Sequence, residues 1–130
     1  MQKASLVSIV ENDQCFRESL RTLMISQGYN VEVFASADDF LASPLLIETA
    51  CLISDVQMPA MTGIELYRNL VQAGHRIPTI LVTAYPNDTD RTRALKDGVF
   101  RYLSKPVDDE YLTWCLSAVL HSDKPPEENS

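Results

Sequence analysis

Cysteine is scarce, with three residues in a chain of 130. Cys15, Cys51 and Cys115 form an odd, scattered set. That excludes a disulfide framework or a thiolate zinc site and leaves buried free thiols as the reading. Basic residues are outnumbered, 11 Lys and Arg against 18 Asp and Glu, for a net charge of −7. Nucleic-acid contact by this segment is thereby disfavoured, because phosphate recognition needs clustered Lys and Arg. No apolar run is long enough to span a bilayer, so no membrane role is expected. Residues 1–5 lack the apolar core of a signal peptide, which makes a cytoplasmic protein the expectation. Histidine occurs twice, and no Ser–His pair sits in a nucleophile elbow. Glycine occurs only four times, and each has a backbone task. Gly28, Gly74 and Gly98 close helical patterns, and Gly63 falls in a turn.

Apolar residues make up 45% of the chain, enough for one real core. They fall into short runs at residues 6–10, 31–34, 51–54, 77–83 and 99–103, each the length of a strand. Helical spacing separates the runs. Phe16, Leu20, Leu23 and Met24 recur on one helix face. Ser36-Ala-Asp-Asp39 starts a second helix, which Pro44 limits. Thr62-Gly-Ile-Glu65 is a capping box ahead of Ile64, Tyr67 and Val71, with Leu66 and Leu70 beside them. Residues 88–97 are helical but thinly apolar, with Ala94 and Leu95 as core candidates. A last helix presents Leu112, Cys115, Leu116, Val119 and Leu120. Five strands alternating with five helices predict a doubly wound α/β domain over residues 1–121, with helices on both faces of a parallel sheet. Residues 122–130 are polar, acidic and carry Pro-Pro, and read as a loose tail or the start of a linker.

Asp55, Thr83 and Lys105 each lie at or just past the end of an apolar run. In a parallel sheet these ends share one edge, where open α/β sheets bind ligands. A carboxylate, a hydroxyl and an ammonium converging there point to phosphoryl chemistry. The full set is Ser54-Asp55-Val-Gln-Met-Pro59-Ala-Met-Thr-Gly63, Thr83-Ala84 and Lys105-Pro106. It resembles the receiver domain of two-component response regulators. Arg17-Glu18-Ser19-Leu20 and Phe34-Ala-Ser-Ala37 most resemble receivers of nitrogen-fixation-regulator-type transcription factors.

The resemblance implies a flavodoxin-like strand order, 2-1-3-4-5. It further implies that Asp55 accepts a phosphoryl group from a histidine kinase or phosphotransfer protein, with Mg²⁺ as cofactor. Thr83 and Lys105 would assist, and the metal would be held by Asp55, by the backbone carbonyl of Gln57 and by acids after the first strand. Tyr102 matches the family's switch aromatic, and Gln57 and Tyr85 match the positions that tune phosphoaspartate lifetime. The bond before Pro106 would be cis. The fourth helix, fifth strand and fifth helix would change shape on phosphorylation and support a homodimer, controlling transcription through an output domain outside this chain. Such a domain acts only on itself, in phosphorylation and dephosphorylation, and has no outside substrate.

One departure stands out. The family carries two adjacent acids after the first strand, and here Glu11 is followed by Asn12. Asp13 comes one residue too late and is expected to cap the first helix. The expected result is weak Mg²⁺ binding. The same departure supports an alternative, a pseudo-receiver that serves as an interaction module. A hydrolase fits less well, since no second acid is placed near Asp55 as a general acid or base.

Overall fold

The structure is a computed structural model, and it describes residues 5–121. The tail expected at residues 122–130 lies outside the described residues. The strands are β1 (Leu6–Val10), β2 (Asn30–Phe34), β3 (Thr49–Asp55), β4 (Thr79–Thr83) and β5 (Arg101–Ser104). The helices are α1 (Gln14–Ser26), α2 (Ala37–Leu41), α3 (Gly63–Gln72), α4 (Asp88–Asp97) and α5 (Asp109–Leu120). All strand pairs are parallel and the order is β2-β1-β3-β4-β5, as expected.

The alternation of side chains along each strand divides the core. On one face, Val7 and Ile9 of β1, Cys51 and Ile53 of β3, and Ile80 and Val82 of β4 meet Leu20 and Met24 of α1 and Leu112, Cys115 and Leu116 of α5. On the other, Val10 and Leu52 meet Phe40 of α2 and Leu66 and Leu70 of α3. A third cluster of Val56, Leu81, Ala94, Val99 and Tyr102 lies under α4. Each fully buried Leu or Ile contributes about 1.5–3 kcal/mol, so these clusters hold the layers together. The buried hydroxyls of Ser8 and Thr49 satisfy each other at 2.7 Å.

Several boundaries and faces differ from the sequence reading. β3 starts at Thr49, ahead of the apolar run, and β5 starts at Arg101, after Val99 and Phe100 have turned into the core. Pro78 precedes β4 rather than lying within it. Pro44 ends the second helical pattern and also opens a 3₁₀ turn, Pro44–Glu48, at the position where its missing N–H is tolerated. Leu95 is 44% exposed and Val71 50% exposed. On α3 the buried stripe runs Gly63, Leu66, Leu70, and on α4 only Ala94 is buried. Cys15 is exposed because it lies off the α1 stripe that buries Leu20 and Met24, whereas Cys51 and Cys115 are buried as expected. Burial pushes the Cys51 thiol up to about 12, with the neighbouring Cys115 adding to it, so that thiol is inert. No helix among the described residues is long and apolar enough to cross a membrane.

Candidate functional site

The carboxyl edge is built where four strands stop. Glu11 follows β1, and its backbone N–H bonds to the Phe34 carbonyl at 3.0 Å. Its side chain is turned inward and buried. Glu11 Oε2 accepts the Asp13 N–H at 2.9 Å, and Arg17 donates to the Glu11 carbonyl at 2.7 Å. Asp13 itself caps α1 through the Phe16 N–H at 3.2 Å. Asn12 is exposed at the rim.

Asp55 ends β3 and is buried. The loop after it is pinned by Val56 N–H to Val82 carbonyl and Gly63 N–H to Val56 carbonyl, both 2.9 Å. Gly63 is required there, since a Cβ would overlap the Asp55 carbonyl oxygen. Ala60, in the same loop, has φ of 70°, a left-handed conformation uncommon for a residue with a side chain. The capping box expected at Thr62 and Glu65 is present and fixes the start of α3.

Lys105 follows β5 and is anchored by its N–H to the Thr83 carbonyl at 2.8 Å. The Lys105–Pro106 bond is cis. Its ammonium lies 3.1 Å from Glu11 Oε1, 3.5 Å from Asp55 Oδ2 and 4.4 Å over the ring of Phe16. One cation thus faces two buried carboxylates under an aromatic cover, a geometry that strengthens charge interactions by limiting water. Burial raises the Glu11 pKa above the ordinary 4.5, and the charge of Asp55 adds to this. The hydrogen bonds from Asp13 and Lys105 act the other way. Asp55 Oδ1 is buried and has no hydrogen-bond partner.

Thr83 ends β4 and is fully buried. Its hydroxyl donates to Gln57 Oε1 at 2.6 Å and accepts from the Tyr85 N–H at 2.9 Å. The Tyr85 ring itself is 73% exposed. Tyr102 lies inward on the α4 side, with the Arg91 guanidinium 5.2 Å from its ring centroid. Burial raises its pKa above 10.0, and the phenol oxygen makes no hydrogen bond of good geometry.

The structure therefore gathers Glu11, Asp55 and Lys105 into one cluster and Gln57, Thr83 and Tyr85 into a second. The sequence reading missed the roles of Phe16, Arg17 and Arg91. Phe16 was legible only as core, because nothing in its spacing marks a ring that covers an ammonium.

For a cation, the donor set is oxygen-only and so suits a hard divalent ion. The unpartnered Asp55 Oδ1 is a buried acceptor that such an ion would satisfy. Both Glu11 oxygens already accept one bond, yet a carboxylate has about four lone-pair positions. Among the described residues, no cluster of three or more His, Cys, Asp or Glu is placed to hold a metal. The set fits a divalent ion with less negative charge than three acids would give.

A parallel sheet in this order, with carboxylates at its carboxyl edge, defines the class: a doubly wound domain whose ligand crevice lies at the strand ends. Residues 7–116 match the response regulator receiver domain family. The response regulator TodT of Pseudomonas putida is 34% identical over 118 residues, covering 91% of this chain and 52% of TodT. The transcriptional regulatory protein FixJ of Bradyrhizobium diazoefficiens is 29% identical over 119 residues, 92% of this chain and 58% of FixJ. Among solved structures, FixJ-N superposes with a TM-score of 0.83 at 28% identity, over 97% of this chain and 100% of that one. The response regulator StyR gives a TM-score of 0.84 at 34% identity, over 92% of this chain and 60% of StyR. The chain belongs to the response regulator receiver domain family. It spans about half the length of the curated relatives it matches. The expected likeness to nitrogen-fixation regulators is borne out by FixJ.

Proposed function

We propose that this domain is a phosphoacceptor switch, with Asp55 taking a phosphoryl group from the phosphohistidine of a histidine kinase or phosphotransfer protein. The observation that carries the reading is the Asp55 carboxylate, held by one ammonium and left with one buried, unpartnered oxygen. An unsatisfied buried acceptor costs about 1–3 kcal/mol, and more when charged, so the site is poised for an electrophile or cation. An Asp55 oxygen attacks phosphorus in line, the P–O bond to Asp55 forms, and the P–N bond to the partner's histidine breaks. A carboxylate is a weak nucleophile, so the rate comes from positioning and charge neutralisation. Lys105 holds the Asp55 carboxylate in place and then faces the phosphoryl oxygens. Thr83 supplies its hydroxyl.

Glu11, Asp55, the Asn12 amide oxygen and the Gln57 backbone carbonyl would hold Mg²⁺, which when bound supplies neutralisation of phosphoryl charge. Asn12 brings no charge, so affinity is expected to be low, and Asn12→Asp is expected to tighten it. Water then hydrolyses the phosphoaspartate, a reaction confined to the domain's own residue, so no outside substrate is turned over. The α4–β5–α5 face, with Tyr102 inside it, carries the change in shape to a homodimer and to a transcriptional output. Relatives about twice as long, several of them named as transcriptional regulators, support that output.

The test is intact mass after incubation with acetyl phosphate and Mg²⁺, with Asp55→Ala alongside. A single adduct of about 80 Da, absent in the variant, is the expected result. No adduct in either the native chain or Asn12→Asp would overturn the reading in favour of a pseudo-receiver.

A further inference from the structure

The structure assigns to the Gln57 side chain a positioning role: it is a restraint that holds the Thr83 hydroxyl in competition with an incoming phosphoryl group. The inference rests on the phosphoacceptor reading for its consequence, though not for its geometry.

A threonine hydroxyl has one proton to give. Here that proton goes to Gln57 Oε1 at 2.6 Å, among the shorter side-chain bonds of the domain. A lone pair of the same oxygen takes the Tyr85 N–H at 2.9 Å. With one lone pair of Oγ1 committed to the Tyr85 N–H, the proton is directed elsewhere, and its acceptor among the described residues is Gln57 Oε1. Thr83 lies at the end of a fully buried strand, so its backbone offers little freedom to find another.

Gln57 sits differently. It lies in the loop after Asp55 and its side chain is exposed. The loop itself is pinned on either side, by the Val56 and Gly63 N–H bonds. An exposed amide arm is thus mounted on a fixed base two residues past Asp55, with its oxygen against the Thr83 hydroxyl. For Thr83 to donate to a phosphoryl oxygen on Asp55, it must give up the Gln57 bond. Water competes for an exposed amide, so the restraint is modest. One such bond corresponds to about a two- to tenfold effect on an equilibrium.

The role makes a specific demand on coupling. Removing the amide helps only because Thr83 has a hydroxyl to release. Gln57→Met keeps length and shape and removes the acceptor; Gln57→Glu keeps the acceptor. Thr83→Ala removes the donor.

Two measurements test this on the 130-residue chain. In ¹H–¹⁵N spectra without ligand, Gln57→Met is expected to shift the Thr83 and Tyr85 amides, and Gln57→Glu to leave them near their native positions. In a Thr83→Ala background, Gln57→Met is expected to leave Tyr85 unmoved. An unmoved Tyr85 amide in Gln57→Met with Thr83 intact would overturn the restraint. In titrations with beryllofluoride and Mg²⁺, Gln57→Met is expected to bind about two- to tenfold more tightly, with no gain in the Thr83→Ala background. An equal gain in both backgrounds means that Gln57 acts on access to Asp55, not through Thr83, and also overturns the inference. Should neither beryllofluoride nor acetyl phosphate modify the native chain, the phosphoacceptor reading fails, and the amide shifts still decide whether Gln57 restrains Thr83.

Discussion

Helices α3 and α4 are both ten residues long, and both start with a side-chain cap. They differ in what they bury. Helix α3 sets Leu66 and Leu70 into the sheet, whereas α4 buries only Ala94 and turns Leu95 outward. Length is matched and both N-termini are capped, so the clearest difference in docking is the apolar area each helix buries. A helix with one buried apolar side chain, supplemented by the contact of Arg91 with Tyr102 and the ion pair of Asp97 with Arg68, belongs to the low-stability end of the molecule, from which moving elements are drawn. The lesson is that a helix can be well formed and thinly attached at the same time.

The largest difference between the two helices is expected in the core. Leu70→Ala on α3 is expected to cost about 2–5 kcal/mol in urea unfolding, and Ala94→Gly on α4 only about 1 kcal/mol. The reverse order would mean that α4 is the better anchored helix.

A smaller effect is expected at the end of α4. Gly98 has φ of 116° and lies against the Tyr67 hydroxyl, so Gly98→Ala meets both strain and a clash. The expected cost is about 1–3 kcal/mol. Hydrogen exchange should show the loss concentrated in α4, and a uniform loss would sink the idea that α4 opens independently.

Thr62→Ala and Asn87→Ala should each cost about 1 kcal/mol in helix formation. In native-state hydrogen exchange, the Asn87 variant should speed α4 alone, because α3 is also held by its leucines.

The smallest effect is alkaline. Tyr67 of α3 touches the end of α4, and Tyr102 lies beneath it. Burial raises both phenols above the ordinary 10.0, with Asp97 adding to the shift at Tyr67. A raised folded pKa gives stability that is complete below 10.0 and lost as pH rises through the folded value. Protection of α4, taken relative to the intrinsic base-catalysed exchange rate, is therefore expected to fall above pH 10, and Tyr102→Phe to remove part of that dependence. An equal loss of protection in α3 and α4 would count against the difference in attachment.

Strand order, the alternation of elements and the edge that gathers Asp55, Thr83 and Lys105 were legible because short apolar runs and helix caps are local signals. Thr49 and Ala50 were not legible as strand, since Thr49 joins β3 through pairing with Leu6 of β1 and Ala50 falls at the register shift that follows. Leu95 misled because hydrophobicity says nothing of direction, and one 100° step from Ala94 carries it to solvent. The Gln57–Thr83 bond was out of reach for another reason. It spans 26 residues between a loop side chain and a strand end, and no periodicity encodes such a meeting.

The ion pair between Glu11 and Lys105 joins residues 94 apart in the chain. During synthesis this has a plain consequence. A nascent chain still short of residue 105 has no ammonium to place beside Asp55, however well its first four strands have paired. At roughly 5–20 residues per second, the domain spends several seconds on the ribosome with its Asp55 carboxylate made and its counter-charge unmade. The charge balance of the carboxyl edge is therefore completed late, and a chain stopped before residue 105 holds Glu11 and Asp55 there with no Lys105 ammonium to face them.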